Sequence, residues 1–534
     1  MKLNQHNLTQ ATAILLMSTV VVKLIGALFK IPLSADYALG DLGFGYFSAA
    51  YDLYIPIYTL ALSGFPVAIS RIIADFVAKK QFNNVDNVFK ISFKTLLITG
   101  LVGSVLMGAL SVPLVLLTDN SGQSVYCLLA IAPSILFCSL ASVYRGYFEG
   151  LKNMTPTAVS NIIEALGKLI LGLFGAVITM KLFRNPALSA AAAMLGITLG
   201  TLISVLYLIL TLRGQRTKII SIAKKDNEKE IFKKLVYLAI PVAIASLSVS
   251  LSSLIDSITL RSQLANILNK DTDNIKLLLK GTTYDGMGIL EIPTLLYGIK
   301  GKAHTIFNLV PTFTTAIGVG ALPLITECFV NRKKLAIKKN TELLLKYSSV
   351  ISFPAAFGFI FVGEEIMKLL FGNISSVLGG RILGLYGVVA LFAGLCVPIT
   401  SLLQAVEKQK VALINIVLGM LLKFALNLTL IRIPEINIYG SVLATIACYI
   451  LIFVLHFICV LKTLKFLPNL KECFLKPLFS ALVCGIVAYL ISKAFNNNLG
   501  IVVSIGFAGA IYFLLLFIFK EIKLEEIKEL RKKS

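Results

Sequence analysis

Ionisable residues inside apolar segments are the positions of this sequence with the most restricted chemistry. Those singled out within runs long enough to cross a bilayer are Lys23, Asp52, Glu164, Lys168, Asp256 and Lys423. An ionised side chain in hydrocarbon is costly unless it faces a cavity or a partner, so such residues mark binding sites and translocation pathways. These six residues are therefore the first candidates for function.

The basic residues in and beside these segments favour binding of an anion. Fixed cations in a low-dielectric cavity bind a multivalent anion such as a diphosphate strongly. Lys23 is too deep for its ammonium to reach the membrane surface, and Lys423 has no carboxylate in its own segment. The predicted substrate-binding residues are Lys23, Lys30, Arg71, Arg261 and Lys423.

Several of these charged residues also have a simpler explanation. Arg71, Arg145 and Arg261 lie near the ends of apolar segments, where a long side chain can extend to the interface. Glu164 and Lys168 are four residues apart, so the two charges can also neutralise one another on one helix face.

The acidic residues and the prolines predict how transport could be driven. Asp52, Asp256 and Glu164 are candidates for coupling to a cation or proton, or for orienting the cations. A glycine precedes a proline at matched places in two segments, and proline frees backbone carbonyls and permits bending. The predicted hinge residues are Gly64, Pro66, Gly320 and Pro323.

Composition places the chain in a membrane. Of its 534 residues, 57% are hydrophobic and 14% are charged, and the mean hydropathy is +0.86. Soluble domains are about 45–50% apolar and about 25% charged. The net charge of +23 would suggest nucleic acid in a soluble protein, but these basic residues cluster between apolar runs, as membrane topology requires. No nucleic-acid partner is predicted.

Enzymatic and metal chemistry are disfavoured. None of the eight cysteines forms a CxxC pair, and the three histidines are far apart in the sequence, so no metal site or disulfide framework is predicted. The sequence has no phosphate-cradling GxxxxGK[ST] motif and no acid/base constellation in a loop. We expect a protein without a cofactor that moves its cargo unchanged, with coupling to the membrane potential or a cation gradient left open.

Fourteen apolar stretches are long enough to span a bilayer, and they predict an all-α integral membrane protein. The first covers 11–29 and the seventh covers 235–258. Lys and Arg concentrate in the segments that face the cytoplasm if the N-terminus is inside. The prediction is a multi-pass protein of the bacterial plasma membrane with both termini cytoplasmic.

Two matched sequence pairs indicate an internal repeat. Pro66 and Pro323 are 257 positions apart, and Lys168 and Lys423 are 255 apart, at the same places in a six-span unit. Because each unit has an even number of spans, the second copy enters the membrane in the same direction as the first, so the copies are parallel repeats. The predicted domains are a six-helix lobe at 1–213, a cytoplasmic linker at 214–234, a second lobe at 235–462 with an outside loop at 261–301, and two helices with a tail at 463–534. Leu264, Ile267 and Leu268 predict a surface helix in that loop.

Several segments resemble the multidrug/oligosaccharidyl-lipid/polysaccharide exporter superfamily. They include Gly64-Phe65-Pro66-Val67-Ala68-Ile69-Ser70 and Tyr144-Arg145-Gly146-Tyr147-Phe148-Glu149-Gly150. The stretch from Tyr297-Gly298 through Pro311 to Pro323 and Glu327 is similar to the stage V sporulation protein B branch, which is related to lipid II flippases.

This resemblance implies two six-helix lobes around a central cavity, with alternating inward and outward opening. It implies an undecaprenyl-diphosphate-linked glycan as cargo, with Lys23, three residues before Gly26, contacting the diphosphate. The last two helices would form a groove for the lipid tail, and cell-wall synthesis machinery is an open partner. A flippase of cell-wall, spore-wall or polysaccharide precursors is therefore expected. The alternatives are a drug or cation antiporter of the same superfamily and a membrane scaffold for envelope assembly.

Overall fold

The protein is described by a computed structural model that covers residues 8–118, 122–215, 227–268, 288–372, 375–494 and 498–519. Within these ranges the regular structure is entirely helical. The first half contains α1 (Leu8–Leu33), α2 (Gly40–Ala78), α3 (Phe82–Ala109), α4 (Ser111–Thr118), α5 (Val125–Gly150), α6 (Thr155–Gly167), α7 (Leu173–Phe183), α8 (Pro186–Gln215) and α9 (Glu228–Leu268). One π-helical turn, Lys168–Gly172, joins α6 to α7.

The second half contains α10 (Ile292–Phe307), α11 (Leu309–Val330), α12 (Lys334–Phe371), α13 (Ser376–Ala405), α14 (Gln409–Leu430), α15 (Tyr439–Leu464), α16 (Lys476–Ala494) and α17 (Asn498–Ile518). A second π-helical turn, Lys471–Leu475, precedes α16. The all-α membrane fold predicted from hydropathy is therefore confirmed.

Twelve stretches of the described residues are helical, long and apolar enough to cross a membrane. They match the second to sixth and the eighth to fourteenth predicted spans. The first and seventh predicted spans coincide with α1 and α9, which are helices of 26 and 41 residues but are not among the twelve. The total of fourteen spans stays a prediction.

The helices form two compact units. The first comprises Met1–Asn266 with Met287–Gly298, and the second comprises Ile267–Gly286 with Ile299–Ser534. By its contacts, most of α9 therefore belongs with the first unit, whereas the repeat places the seventh span at the start of the second lobe. The compact units are defined by contacts and the lobes by the sequence repeat, so the boundaries of the two lobes stay a prediction.

The described residues of the first unit include two apolar cores. One packs aromatic residues of α2, including Phe44, Phe47 and Tyr54, against α5 and α8. The other lies toward the C-terminal end of α2, where Ile69 and Ile73 meet α5. Because α2 touches α3, α5 and α8, its residues are held firmly in place.

In the second unit, α12 and α13 make the most extensive helix pair, and α16 packs on α12. Its core includes Phe353, Leu402 and Tyr512, and the Tyr512 hydroxyl donates to the Val350 carbonyl at 2.9 Å. The helix α12 has non-helical backbone angles at Val362 (φ −126°, ψ 27°), which marks a kink that sequence reasoning missed. The last two helices, α16 and α17, thus pack against α12 of the second unit.

The segment predicted as an outside loop at 261–301 is helical at both described ends. The helix α9 continues to Leu268, and α10 begins at Ile292. Leu264, Ile267 and Leu268 are buried in α9, so the predicted surface helix is wrong. The charge of Arg261 breaks the apolar run in the sequence, but the folded chain buries that residue within a helix. Residues 269–287 lie outside the described part, as do 216–226 of the linker and the predicted tail at 520–534.

Glycines bring the fifth and sixth predicted spans into backbone contact. A Cβ atom on Gly196 of α8 would lie 2.3 Å from the Cα of Gly172, and one on Gly167 would lie 2.5 Å from the Cα of Gly200. Small residues permit such close approach between membrane helices. This crossing lies at both ends of the π-helical turn and fixes the backbone from which Lys168 projects.

Replacement of Gly196 by alanine tests the crossing. The added methyl group must displace backbone atoms, so we expect Gly196→Ala to lower the free energy of unfolding by about 1–3 kcal/mol. The measurement is the melting temperature of purified protein in detergent. The matched control is Gly358→Ala in α12, where a Cβ meets nothing within 4 Å and alanine favours the helix. Equal melting temperatures for the two variants would contradict the close crossing.

Candidate functional site

A cavity of about 240 Å³ lies inside the first unit. Residues of α1, α2, α6 and α8 and the π-helical turn line it. Its charged residues are Lys23, Lys30, Glu164 and Lys168, so the wall carries three basic groups and one acidic group. The structure thus brings together two of the five predicted substrate-binding residues and one predicted carboxylate.

An aromatic ladder on α2 contributes Phe47, Tyr51 and Tyr58 to one wall of the cavity. Successive ring centroids lie 5.8 Å apart for Phe44 and Phe47, 5.6 Å for Phe47 and Tyr51, 6.1 Å for Tyr51 and Tyr54, and 5.5 Å for Tyr54 and Tyr58. This three- and four-residue spacing places the rings on one helix face. The sequence reading missed this stripe, although the spacing that generates it is visible in the sequence.

Two of the cavity lysines lie over rings of this ladder. The Lys30 Nζ is 5.0 Å from the centroid of Tyr51, and the Lys168 Nζ is 5.3 Å from that of Tyr58. A cation within about 6 Å of a ring face is attracted by its quadrupole. The rings therefore hold the ammonium groups at the cavity wall without neutralising them.

Glu164 is the centre of a buried ion network. Its Oε2 accepts from Arg145 Nη2 at 2.8 Å, and its Oε1 accepts from Lys168 Nζ at 2.7 Å. The Tyr58 hydroxyl also donates to Oε1, at 3.1 Å. Glu164 thus accepts from three donors on three different segments and is held as a carboxylate. Its predicted coupling role is not tested by this arrangement.

Arg145 is buried at the site. It lies near the end of an apolar segment, from which its side chain could extend to the membrane interface, but the residue is only 5% exposed. Its guanidinium also donates to Ser160 Oγ at 3.0 Å and to Ser204 Oγ at 3.1 Å. These bonds tie α5 to α6 and α8. Removing one partner of such a buried pair typically costs about 3–5 kcal/mol, because the other charge stays buried.

A second polar cluster of the first unit contains two predicted carboxylates. The Tyr297 hydroxyl donates to Asp52 Oδ2 at 2.6 Å. The guanidinium of Arg261 lies 5.7 Å from the centre of the Tyr297 ring and donates to Ser124 Oγ at 3.2 Å. Asp256, one and a half turns before Arg261 in α9, is 5% exposed. Arg261 is therefore buried beside Tyr297 and is not one of the residues lining the cavity.

The remaining predicted substrate-binding residues are elsewhere. Arg71 is exposed on α2, which fits extension to the interface. Lys423 is fully buried in α14 of the second unit. Neither lines the cavity of the first unit. Among the described residues, no group of three His, Cys, Asp or Glu side chains could hold a metal ion.

The predicted hinges lie in continuous helices. Gly64 and Pro66 are buried within α2, where a Cβ on Gly64 would lie 2.4 Å from the Ala239 carbonyl oxygen. In α11, Gly320 is exposed and has open space around it, and the helix continues through Pro323. The two glycines thus have different surroundings, and bending at these positions stays a prediction.

Two family models together match most of the chain. Residues 8–268 match the family described as "Polysaccharide biosynthesis protein", and residues 303–509 match "Lipid II flippase MurJ". Among curated proteins, stage V sporulation protein B of Bacillus subtilis is 26% identical in an alignment of 541 positions that covers 98% of this chain and 97% of the relative. Lipid II flippase MurJ of the same organism is 24% identical in an alignment of 467 positions that covers 83% of this chain and 80% of the relative.

Solved structures share the fold. An inward-closed structure of lipid II flippase MurJ has a TM-score of 0.70 at 14% identity and covers 94% of this chain and 98% of its own. An inward-facing multidrug resistance transporter of the MATE family has a TM-score of 0.63 at 15% identity, with 83% and 95% covered. The named activities among these matches are those of flippases and transporters rather than enzymes. This chain is therefore a multi-pass membrane protein that is similar to the polysaccharide biosynthesis and lipid II flippase families and shares the fold of the solved MurJ and MATE transporters.

Proposed function

We propose that this protein moves a polyprenyl-diphosphate-linked glycan, such as lipid II or a related wall or polysaccharide precursor, from the inner to the outer leaflet. The observation that carries the proposal is the cavity with Lys23 and Lys30 in its wall. Its cations suit a diphosphate, because charge-assisted bonds to phosphate oxygens are strong where water is excluded. The match of residues 303–509 to the lipid II flippase family supports the same conclusion.

The positions of the two lysines suggest how a head group could advance. They are seven residues apart on α1, which is two helical turns or about 10 Å. A diphosphate bound at one lysine could therefore be passed to the other while the polyprenyl tail stays in lipid. Alternating opening of the two repeats would then expose the head group on either side of the membrane in turn.

The cluster around Asp52 is the proposed coupling site. The Tyr297 hydroxyl donates to Asp52 Oδ2 at 2.6 Å, and Asp256 is buried in the same unit. Carboxylates inside membrane proteins commonly bind or relay the driving cation or proton. We infer that a cation gradient or the membrane potential acts through Asp52 and Asp256, without a bound cofactor.

A drug or cation antiporter is the second candidate function, since transporters of the MATE family share the fold. A cationic drug would be attracted by an acidic cavity, whereas three lysines and one glutamate line this one. The cavity charge therefore favours an anionic cargo. An inert scaffold for envelope assembly would need no charged cavity.

The proposed setting is the bacterial plasma membrane, with both termini in the cytoplasm. The predicted cytoplasmic segments are rich in Lys and Arg, and this distribution supports the orientation. The proposed partners are the bilayer and an undecaprenyl-diphosphate-linked glycan. Proteins of cell-wall synthesis that extend the glycan outside are a further proposed partner.

The role of Lys23 is tested in a bacterial host depleted of its own lipid II flippase. Expression of the wild-type chain should restore lipid II at the outer leaflet, measured by its accessibility to a membrane-impermeant reagent. Loss of one charged bond to phosphate removes about 1.5–3 kcal/mol, so Lys23→Ala should lower transport at least about tenfold. The control is Lys410→Ala, at an exposed position of α14. Full transport by Lys23→Ala, at equal protein levels, would refute the role.

The coupling proposal predicts a different defect for Asp52→Asn. This variant should bind a polyprenyl diphosphate about as well as wild type but lose the part of transport that an ionophore abolishes. A coupling free energy of about 1–3 kcal/mol corresponds to a loss of roughly 5- to 150-fold. Transport by Asp86→Asn, at an exposed position of α3, should keep its ionophore sensitivity. Unchanged sensitivity in Asp52→Asn would contradict the assignment.

A further inference from the structure

We propose that Lys168 is the third cation of the cavity and that it binds the second phosphate of a diphosphate head group. The cavity would then discriminate a diphosphate from a monophosphate. The inference rests on the proposed function, because it concerns the same cargo and the same site. The sequence analysis names Lys168 among the candidates for function, with neutralisation of Glu164 as the alternative, and assigns it no ligand.

Lys168 is the most exposed member of the ion network around Glu164. The Lys168 side chain is 20% exposed, whereas its partner Glu164 is 4% exposed and Arg145 is 6% exposed. Lys168 also lines the cavity, and Arg145 does not. The network thus has a buried side, where Arg145 meets Glu164, and an open side, where the ammonium of Lys168 can reach a ligand.

The ion network around Glu164 has an excess of positive charge. Arg145 and Lys168 carry two positive charges against the one negative charge of Glu164, so the network has a net charge of +1. An ammonium has three donors. Among the described residues, Glu164 Oε1 accepts one hydrogen bond from Lys168, so two donors remain for oxygen atoms in the cavity. Lys168 can therefore bind an anion without leaving Glu164.

The three cavity lysines can be placed relative to one another along α1 and α2. Lys30 lies over Tyr51 and Lys168 lies over Tyr58, two turns further along α2. Lys23 is likewise two turns from Lys30 on α1.

The connection between α1 and α2, residues 34–39, is short, so the two helices run in opposite directions. Moving from Lys30 back to Lys23 therefore follows the same direction as moving from Tyr51 to Tyr58. Lys23 and Lys168 consequently reach the same level of the cavity from different walls, where they can hold the two phosphates of one head group.

Close packing restrains the backbone at Lys168. Lys168 begins the π-helical turn, and a Cβ on Gly200 would lie 2.8 Å from the Lys168 backbone nitrogen. Such π-helical turns occur frequently at functional sites. The backbone is thus fixed by the glycine crossing, while Glu164 is fixed by Arg145 and Tyr58. Only the flexible end of Lys168 needs to adjust when a ligand binds.

The test compares two lipids that differ by one phosphate. Purified protein in detergent is titrated with farnesyl monophosphate and with farnesyl diphosphate, and each Kd is measured. Wild type should bind the diphosphate more tightly. A charge-assisted bond contributes enough that Lys168→Met should weaken diphosphate binding about tenfold or more, while monophosphate binding changes by less than about twofold. Lys168→Arg should keep the preference for the diphosphate, because it keeps the charge.

The control is Lys181→Met, which removes one charge from the exposed end of α7 and should leave both affinities unchanged. Equal weakening of both lipids in Lys168→Met would show a structural partner of Glu164 and overturn the inference. So would an unchanged diphosphate preference in that variant. In either case, wild-type and Lys23→Ala binding still test the proposed function separately. Absence of diphosphate binding by wild type would overturn both.

Discussion

The carboxylate of Glu164 is the interaction on which the candidate site depends. A buried charge is tolerated only when it is paired and hydrogen-bonded, and Glu164 meets this condition through Arg145, Lys168 and Tyr58. These partners come from α5, the π-helical turn and α2, so one carboxylate of α6 connects two other elements of the cavity wall to α5 behind it. The pairing also explains why an arginine is stable inside the unit and why a lysine stands at the cavity wall.

The membrane fold could be predicted almost entirely from the sequence, because hydrocarbon leaves the backbone few alternatives to a helix. Hydropathy placed twelve of the helices, and the cost of buried charge identified Lys23, Glu164 and Lys168 as residues worth attention. The end of the seventh predicted span, which is α9, was harder to locate. Arg261 breaks the apolar pattern of the sequence, whereas the folded chain buries that residue. Burial of a polar residue depends on partners that are distant in the sequence, which hydropathy does not contain.

The partners within the site were predicted less well for the same reason. The Glu164–Lys168 pair follows from helical spacing, but the bond from Arg145 to Glu164 spans 19 residues and that from Tyr297 to Asp52 spans 245. The internal repeat does not predict the surroundings of its matched side chains. Lys168 and Lys423 occupy matching positions, yet Lys168 lines a cavity and Lys423 is fully buried. A repeat preserves the helix framework, whereas the surroundings of each side chain can diverge.

The central claim is that this chain carries a diphosphate-linked lipid across a bilayer. Its most direct test is reconstitution of the purified protein into vesicles that contain labelled lipid II, with and without an imposed cation gradient. Accessibility of the label to an external impermeant reagent is followed over time. The account predicts that the label of the inner leaflet becomes accessible faster than in protein-free vesicles. An accessible fraction that stays equal to that of protein-free vesicles, under both conditions, would contradict it.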